Sequence, residues 1–152
     1  MGKFLKQNLL PISVFITGAC VLIVEVVAVR VLSPHYGNTI FTVSSVISVI
    51  LAALSIGYYV GGKFADRHPS LRWFFGIILI SGLTILAFHF LGTIILPILS
   101  VNLSLTIGPL VSSLLLFLTP ALLLGTLSPY AIKLQSIQAP KQGVGSVSGK
   151  IF

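Results

Sequence analysis

Apolar residues fall in four long blocks separated by short polar breaks. The first is interrupted by charge only at Glu25 and Arg30, and the other three carry no charged residue at all. A helix that crosses hydrocarbon needs roughly 20 predominantly apolar residues. The pattern predicts an all-α fold, a polytopic transmembrane helical bundle of about four spans at 11–32, 39–60, 73–96 and 110–132. The third span has 24 residues. At about 1.5 Å per residue it is long enough to cross with some tilt.

The breaks have their own character. Ser33-Pro34-His35-Tyr36-Gly37-Asn38 reads as a turn cluster. Gly57 to Arg72 concentrates Lys63, Asp66, Arg67, His68 and Arg72, as a short aqueous loop would. Pro97 to Pro109 reads as a semi-polar outer loop. Pro11 is acceptable in a first helical turn, where its missing N–H has no partner to lose. Trp73 and Phe74 occupy the place of an interfacial aromatic anchor. Within the fourth span, Pro120 and Pro129 predict kinks. Residues 1–132 form one membrane module, and 133–152 read as a cytoplasmic Gly/Lys tail or the start of a further helix.

Small residues recur at helical spacing. Ser44, Ser48 and Ala52 make one stripe on the second span, and Ala53, Gly57 and Gly61 make another. Ala121, Gly125 and Ser128 make a third. Such stripes let helix backbones approach closely in lipid. They predict that the second span packs on more than one side. Other membrane helices, from a second copy or a partner subunit, are the expected neighbours.

Composition sharpens the picture. The chain is 56% hydrophobic and 7% charged, against about 25% charged in a globular domain. The bilayer is therefore its solvent. A net charge of +7 does not indicate nucleic acid, because the basic residues form no patch with interleaved aromatics. Lys3, Lys6, Lys63, Arg67, Arg72, Lys133, Lys141 and Lys150 all fall on one side of a four-span topology, with Arg30 near the other. The positive-inside rule then predicts a multi-pass protein of the cell membrane with both termini cytoplasmic. Cys20 is the single cysteine, which excludes an intrachain disulfide and any CxxC site. A cleaved signal or lipoprotein box ending at Cys20 competes poorly. Thr17 stands where such a box prefers Leu, and apolar character continues past the cysteine.

Few residues carry chemistry. Glu25 is the only acid inside a span. Intramembrane acids usually face a bundle interior or cavity and mark proton or substrate pathways. A neutral or hydrogen-bonded acid that merely orders the bundle is the equal alternative. Arg30 follows five residues later, so the two side chains diverge by roughly 140° on a helix. Arg30 is expected to snorkel to the outer interface. His89, alone on an apolar span, is expected to be a hydrogen-bonded packing residue before it is a ligand. There is no HExxH, His/Cys cluster or carboxylate pair, so no metal site or cofactor is expected. Gly143, Gly145 and Gly149 have the wrong spacing for a dinucleotide fingerprint, and no strand precedes them. Gly62, Asp66 and Arg67 form a candidate loop latch. The glycine would permit close approach, the acid would cap the next helix, and the arginine would bridge helix ends or anionic headgroups.

Two resemblances follow from these residues. Gly62, Ala65, Asp66 and Arg67 resemble the loop signature between helices two and three of major facilitator transporters, with Pro69 and Ser70 in place of the usual Gly and Arg. A longer one joins Gly18-Ala-Cys20, Glu25, the run Arg30 to Asn38, Leu54 to Gly62, Ala65 to Pro69 and Leu127 to Ala131. Together these are similar to the membrane region of fused spermidine synthase-like proteins, and Gly143 to Lys150 to the lead-in to that family's fifth helix. The resemblance implies a membrane region that goes with a soluble Rossmann-type aminopropyltransferase domain binding decarboxylated S-adenosylmethionine and a polyamine. No such domain is recognisable here, so no catalytic residue carries over. Synthase activity is expected only if a partner or a missing C-terminal domain supplies it. A truncated product, a split half and a short stand-alone relative all fit.

Three functions are consistent with this reading. The module could anchor or serve a soluble aminopropyltransferase or its solute, and be non-catalytic alone. It could be a transporter-like bundle for a small solute after oligomerisation. It could be a structural subunit of a membrane assembly.

Overall fold

The computed structural model describes the backbone of residues 2–138 and the side chains of residues 10–137. It contains four helices: α1 (Gly2–Tyr36), α2 (Ile40–Arg67), α3 (Leu71–Asn102) and α4 (Gly108–Gln138). All four are long and apolar enough to cross a membrane. The chain is an all-α bundle built as a multi-pass membrane protein.

Cross-helix pairs fix the directions. Tyr36, at the end of α1, meets Ser112, near the start of α4. Phe74, at the start of α3, meets Tyr130, near the end of α4. Asp66 and Lys133 bring the last parts of α2 and α4 together. Thus α1 and α3 run one way, and α2 and α4 the other. Helix α4 is the centre and packs on all three others, most extensively on α2.

The α2–α4 seam is made by small residues. Ala53, Gly57 and Gly61 are buried on α2, opposite Ala121, Gly125 and Thr126 of α4. A Cβ at Gly57 would strike the Leu122 carbonyl, and one at Gly61 would lie 2.5 Å from Thr126 Cα. A Cβ at Gly125 would lie 3.1 Å from Leu54 Cα. Only glycine allows this backbone approach, and dispersion over the close seam is what holds helices in lipid. The stripe Ser44, Ser48 and Ala52 is exposed instead, so the expected second packing side of α2 is open within this chain.

Two apolar clusters fill the bundle. One joins Leu10, Val14, Ala65, Phe74, Leu127 and Tyr130 near the end that carries most of the charge. The other joins Ala28, Leu32, Tyr36, Ile50, Leu96 and Leu116 near the opposite end. Outward faces are covered with large apolar side chains such as Phe15, Leu79, Phe90 and Val101. Water would not tolerate so much exposed hydrocarbon, whereas lipid does.

Element ends differ from the expected ones because charge and proline are weaker stops than the pattern implied. Helix α1 runs through Pro34 to Tyr36, with the Ser33 hydroxyl donating to the Val29 carbonyl at 2.7 Å. The first turn therefore lies well before Pro11. Gly37, at φ +78°, reverses the chain, and the Thr39 hydroxyl caps α2 by accepting the Thr42 N–H at 3.3 Å. Helix α2 continues through most of the expected aqueous loop to Arg67, leaving only residues 68–70 outside helix. Helix α3 includes Pro97 and ends at Asn102, so the outer loop shrinks to residues 103–107. Helix α4 stays helical through Pro120 and Pro129 and crosses the expected module boundary at 132 to reach Gln138. The remaining tail, with its glycines, Lys141 and Lys150, lies outside the described residues.

Candidate functional site

Chemistry-bearing side chains collect at two places. The first is the end of the bundle where α2 turns into α3. Tyr130 of α4 is fully buried there. Its hydroxyl donates to the His68 carbonyl, lies 3.1 Å from the Ser70 carbonyl and accepts the Ser70 N–H at 3.3 Å. A buried tyrosine needs such partners, and the connection's backbone needs them equally. Its ring sits against Phe74 and Phe64, with centroids 6.0 and 6.1 Å away. Phe64 also meets Trp73 edge-on at 5.6 Å and His68 at 5.5 Å. Trp73 is exposed at this end while Phe74 is buried, so only the first has the position of an interfacial anchor.

One turn beyond Tyr130, Lys133 pairs with Asp66 at 2.7 Å, the only ion pair among the described residues. Asp66 lies in the last turn of α2 and does not cap α3. Ser70 is the cap, its hydroxyl accepting the Arg72 N–H at 3.3 Å. An acid at a helix C-terminus opposes the dipole by about 0.3–1 kcal/mol, and Lys133 offsets that. Gly62 makes no close approach, since a Cβ there meets nothing within 4 Å. The neighbouring Gly61 has that role. Arg67 and Arg72 are exposed, and neither side chain bonds to a described residue. Lys63 is exposed and lies 4.3 Å over the Tyr59 ring. Of the three residues of the expected latch, Asp66 alone bonds across helices among the described residues, with Tyr130 and Lys133 beside it. Sequence reasoning missed both, although a tyrosine on an apolar span was the available signal.

The second place is the α1 side of the membrane interior. Glu25 is half-buried near the middle of α1 and bonds to no described residue. Arg30 is exposed and makes no pair with it, as the helical spacing requires. Arg30 borders a surface groove with Val29, Ser33 and Asn38, towards the end opposite the Asp66 latch. His89 is exposed, meets the Phe90 ring at 5.8 Å and makes no hydrogen bond to a described residue. Among the described residues it therefore has no partner for the hydrogen-bonded packing role expected of it. His89 borders a cavity of about 220 Å³ whose α1 wall is Ile23, Val24, Val27 and Val31. Glu25 is not in that wall, so the fold does not bring Glu25, Arg30 and His89 together. A larger cavity of about 520 Å³ opens between α1, α2 and α4, lined by Val14, Gly18, Val21, Leu54, Tyr58 and Gly125 among others. Among the described residues no three His, Cys, Asp or Glu side chains cluster as metal ligands would.

Comparison with known proteins returns no match, whether to a protein-family model, to a curated protein or to a solved structure.

Proposed function

We propose that this chain is a non-catalytic membrane module of the fused spermidine synthase-like type, whose basic end anchors or serves a soluble aminopropyltransferase. The supporting observation is the clasp of Tyr130 and Lys133 on the α2–α3 connection. It holds the segment that carries Lys63, Arg67 and Arg72, all exposed, as one charged platform. The positive-inside rule assigns this platform and both termini to the cytoplasm of a cell membrane. Fixed exposed cations favour encounter with an acidic protein surface. The test is retention of aminopropyltransferase activity by the tagged chain purified from native membranes. Wild type should retain it, and Arg67→Glu with Arg72→Glu should release it. No retention by wild type, or equal retention by the reversed variant, would count against the proposal.

A second reading, a transporter-like bundle, draws on Glu25, an acid within a span that no described residue neutralises. Alternating-access carriers are commonly built from repeated halves, so four helices would work as an oligomer or with a partner. Glu25→Gln should abolish solute uptake and leave assembly intact. If neither enzyme retention nor uptake is found, the chain acts as a structural subunit.

A further inference from the structure

The apolar groove between α1, α2 and α4 has Val21 and Leu22 in its α1 wall, and Glu25, itself outside the lining, lies about one helical turn beyond them. The groove's volume is about 520 Å³. A Cβ added at Gly18 meets nothing within 4 Å, so the α1 wall is open there. Glu25 follows Gly18 by seven residues and Val21 by four. On a helix of 3.6 residues per turn it lies about 20° from Gly18 and one turn past Val21. It therefore continues the strip of α1 that walls the cavity, at the end nearer the middle of the span.

Deepening the transporter-like reading, we infer that this groove binds a monovalent cation with a large apolar body, with Glu25 as its counter-charge. The wall is mostly hydrocarbon, which selects the apolar body. Phe15 and Tyr58, both exposed, add aromatic faces to the lining, and such faces attract cations. The Tyr58 and Ser128 hydroxyls in the lining bond to no described residue and are free to meet a ligand. The other acid of the helices, Asp66, is paired with Lys133 at the basic end, which leaves Glu25 as the one acid near the groove, so a polyamine with several charges would leave most of them unpaired in lipid. A neutral acyl chain would fill the groove without using the carboxylate, and an anion would be repelled by it.

The test uses the whole chain in nanodiscs of zwitterionic lipid, with radiolabelled tetraphenylphosphonium as probe. Binding should be saturable, and neutral tetraphenylmethane should not compete. Glu25→Gln should weaken it at least about tenfold, and Glu25→Asp should retain it. Gly18→Leu fills the cavity, leaves the carboxylate in place and should weaken binding as strongly. Equal binding by wild type and Glu25→Gln, or binding untouched by Gly18→Leu, overturns the site. Glu25-dependent binding without uptake into proteoliposomes supports the site and removes the carrier reading. Glu25-dependent uptake of other solutes without tetraphenylphosphonium binding does the reverse.

Discussion

Asp66, in the last turn of α2, meets Lys133 of the parallel helix α4 at 2.7 Å, one turn from the tyrosine that holds the α2–α3 connection. The pair is half open to its surroundings, at 64% and 41% side-chain exposure. Exposed pairs are worth at most about 1 kcal/mol. The buried Tyr130 hydroxyl has more to lose, because its removal strands backbone groups and costs about 1–3 kcal/mol. Denaturant unfolding in mixed micelles should rank Tyr130→Phe as clearly more destabilising than Asp66→Asn. The reverse order would mean that the ion pair is the clasp.

The glycines of α2 should separate cleanly. Gly57→Leu and Gly61→Leu force the α2 and α4 backbones apart, and overpacking of this kind costs about 1–3 kcal/mol or more. Gly62→Ala meets open space and should stay within about 0.5 kcal/mol of wild type. Thermal stability of the three variants in one detergent checks this. A sensitive Gly62 beside a tolerant Gly61 would place the seam one residue away.

At the opposite end, the Tyr36 hydroxyl lies 2.9 Å from Ser112 Oγ, and both residues are buried. Gly108 lies beneath the Tyr36 ring, where a Cβ would clash. A double-mutant cycle of Tyr36→Phe and Ser112→Ala should give a coupling of about 0.6 kcal/mol, the usual size for membrane hydrogen bonds. Gly108→Ala should destabilise through the ring even when the hydrogen bond is already gone. Zero coupling, with Gly108→Ala neutral, would show that α1 and α4 do not meet here.

The four spans were legible because hydrocarbon thickness imposes a length that composition cannot hide. Their ends were not. Lys63 and Arg67 were read as loop because they are charged, yet the backbone stays helical to Arg67 and lets those side chains reach outward. Pro97 reads as the start of the outer loop, although a long helix absorbs one lost hydrogen bond. The stripe Ala53, Gly57 and Gly61 was readable because close approach demands small residues at fixed spacing. The matching stripe at Ser44 has the same spacing and an open face, so spacing alone does not decide which side is used. Tyr130 escaped notice because its partners are backbone groups some 60 residues away, and backbone positions leave no mark in a sequence. The divergence of Glu25 and Arg30 on α1 follows from helix geometry alone.

We propose four crossings with the Asp66–Lys133 end on the cytoplasmic face. Single cysteines at Asn38, Arg67, Ser104 and Lys133, introduced after Cys20→Ser, test it in intact cells with a membrane-impermeant maleimide. Positions 38 and 104 should label from outside, and positions 67 and 133 only after permeabilisation. Labelling of 67 and 133 from opposite faces would contradict the account.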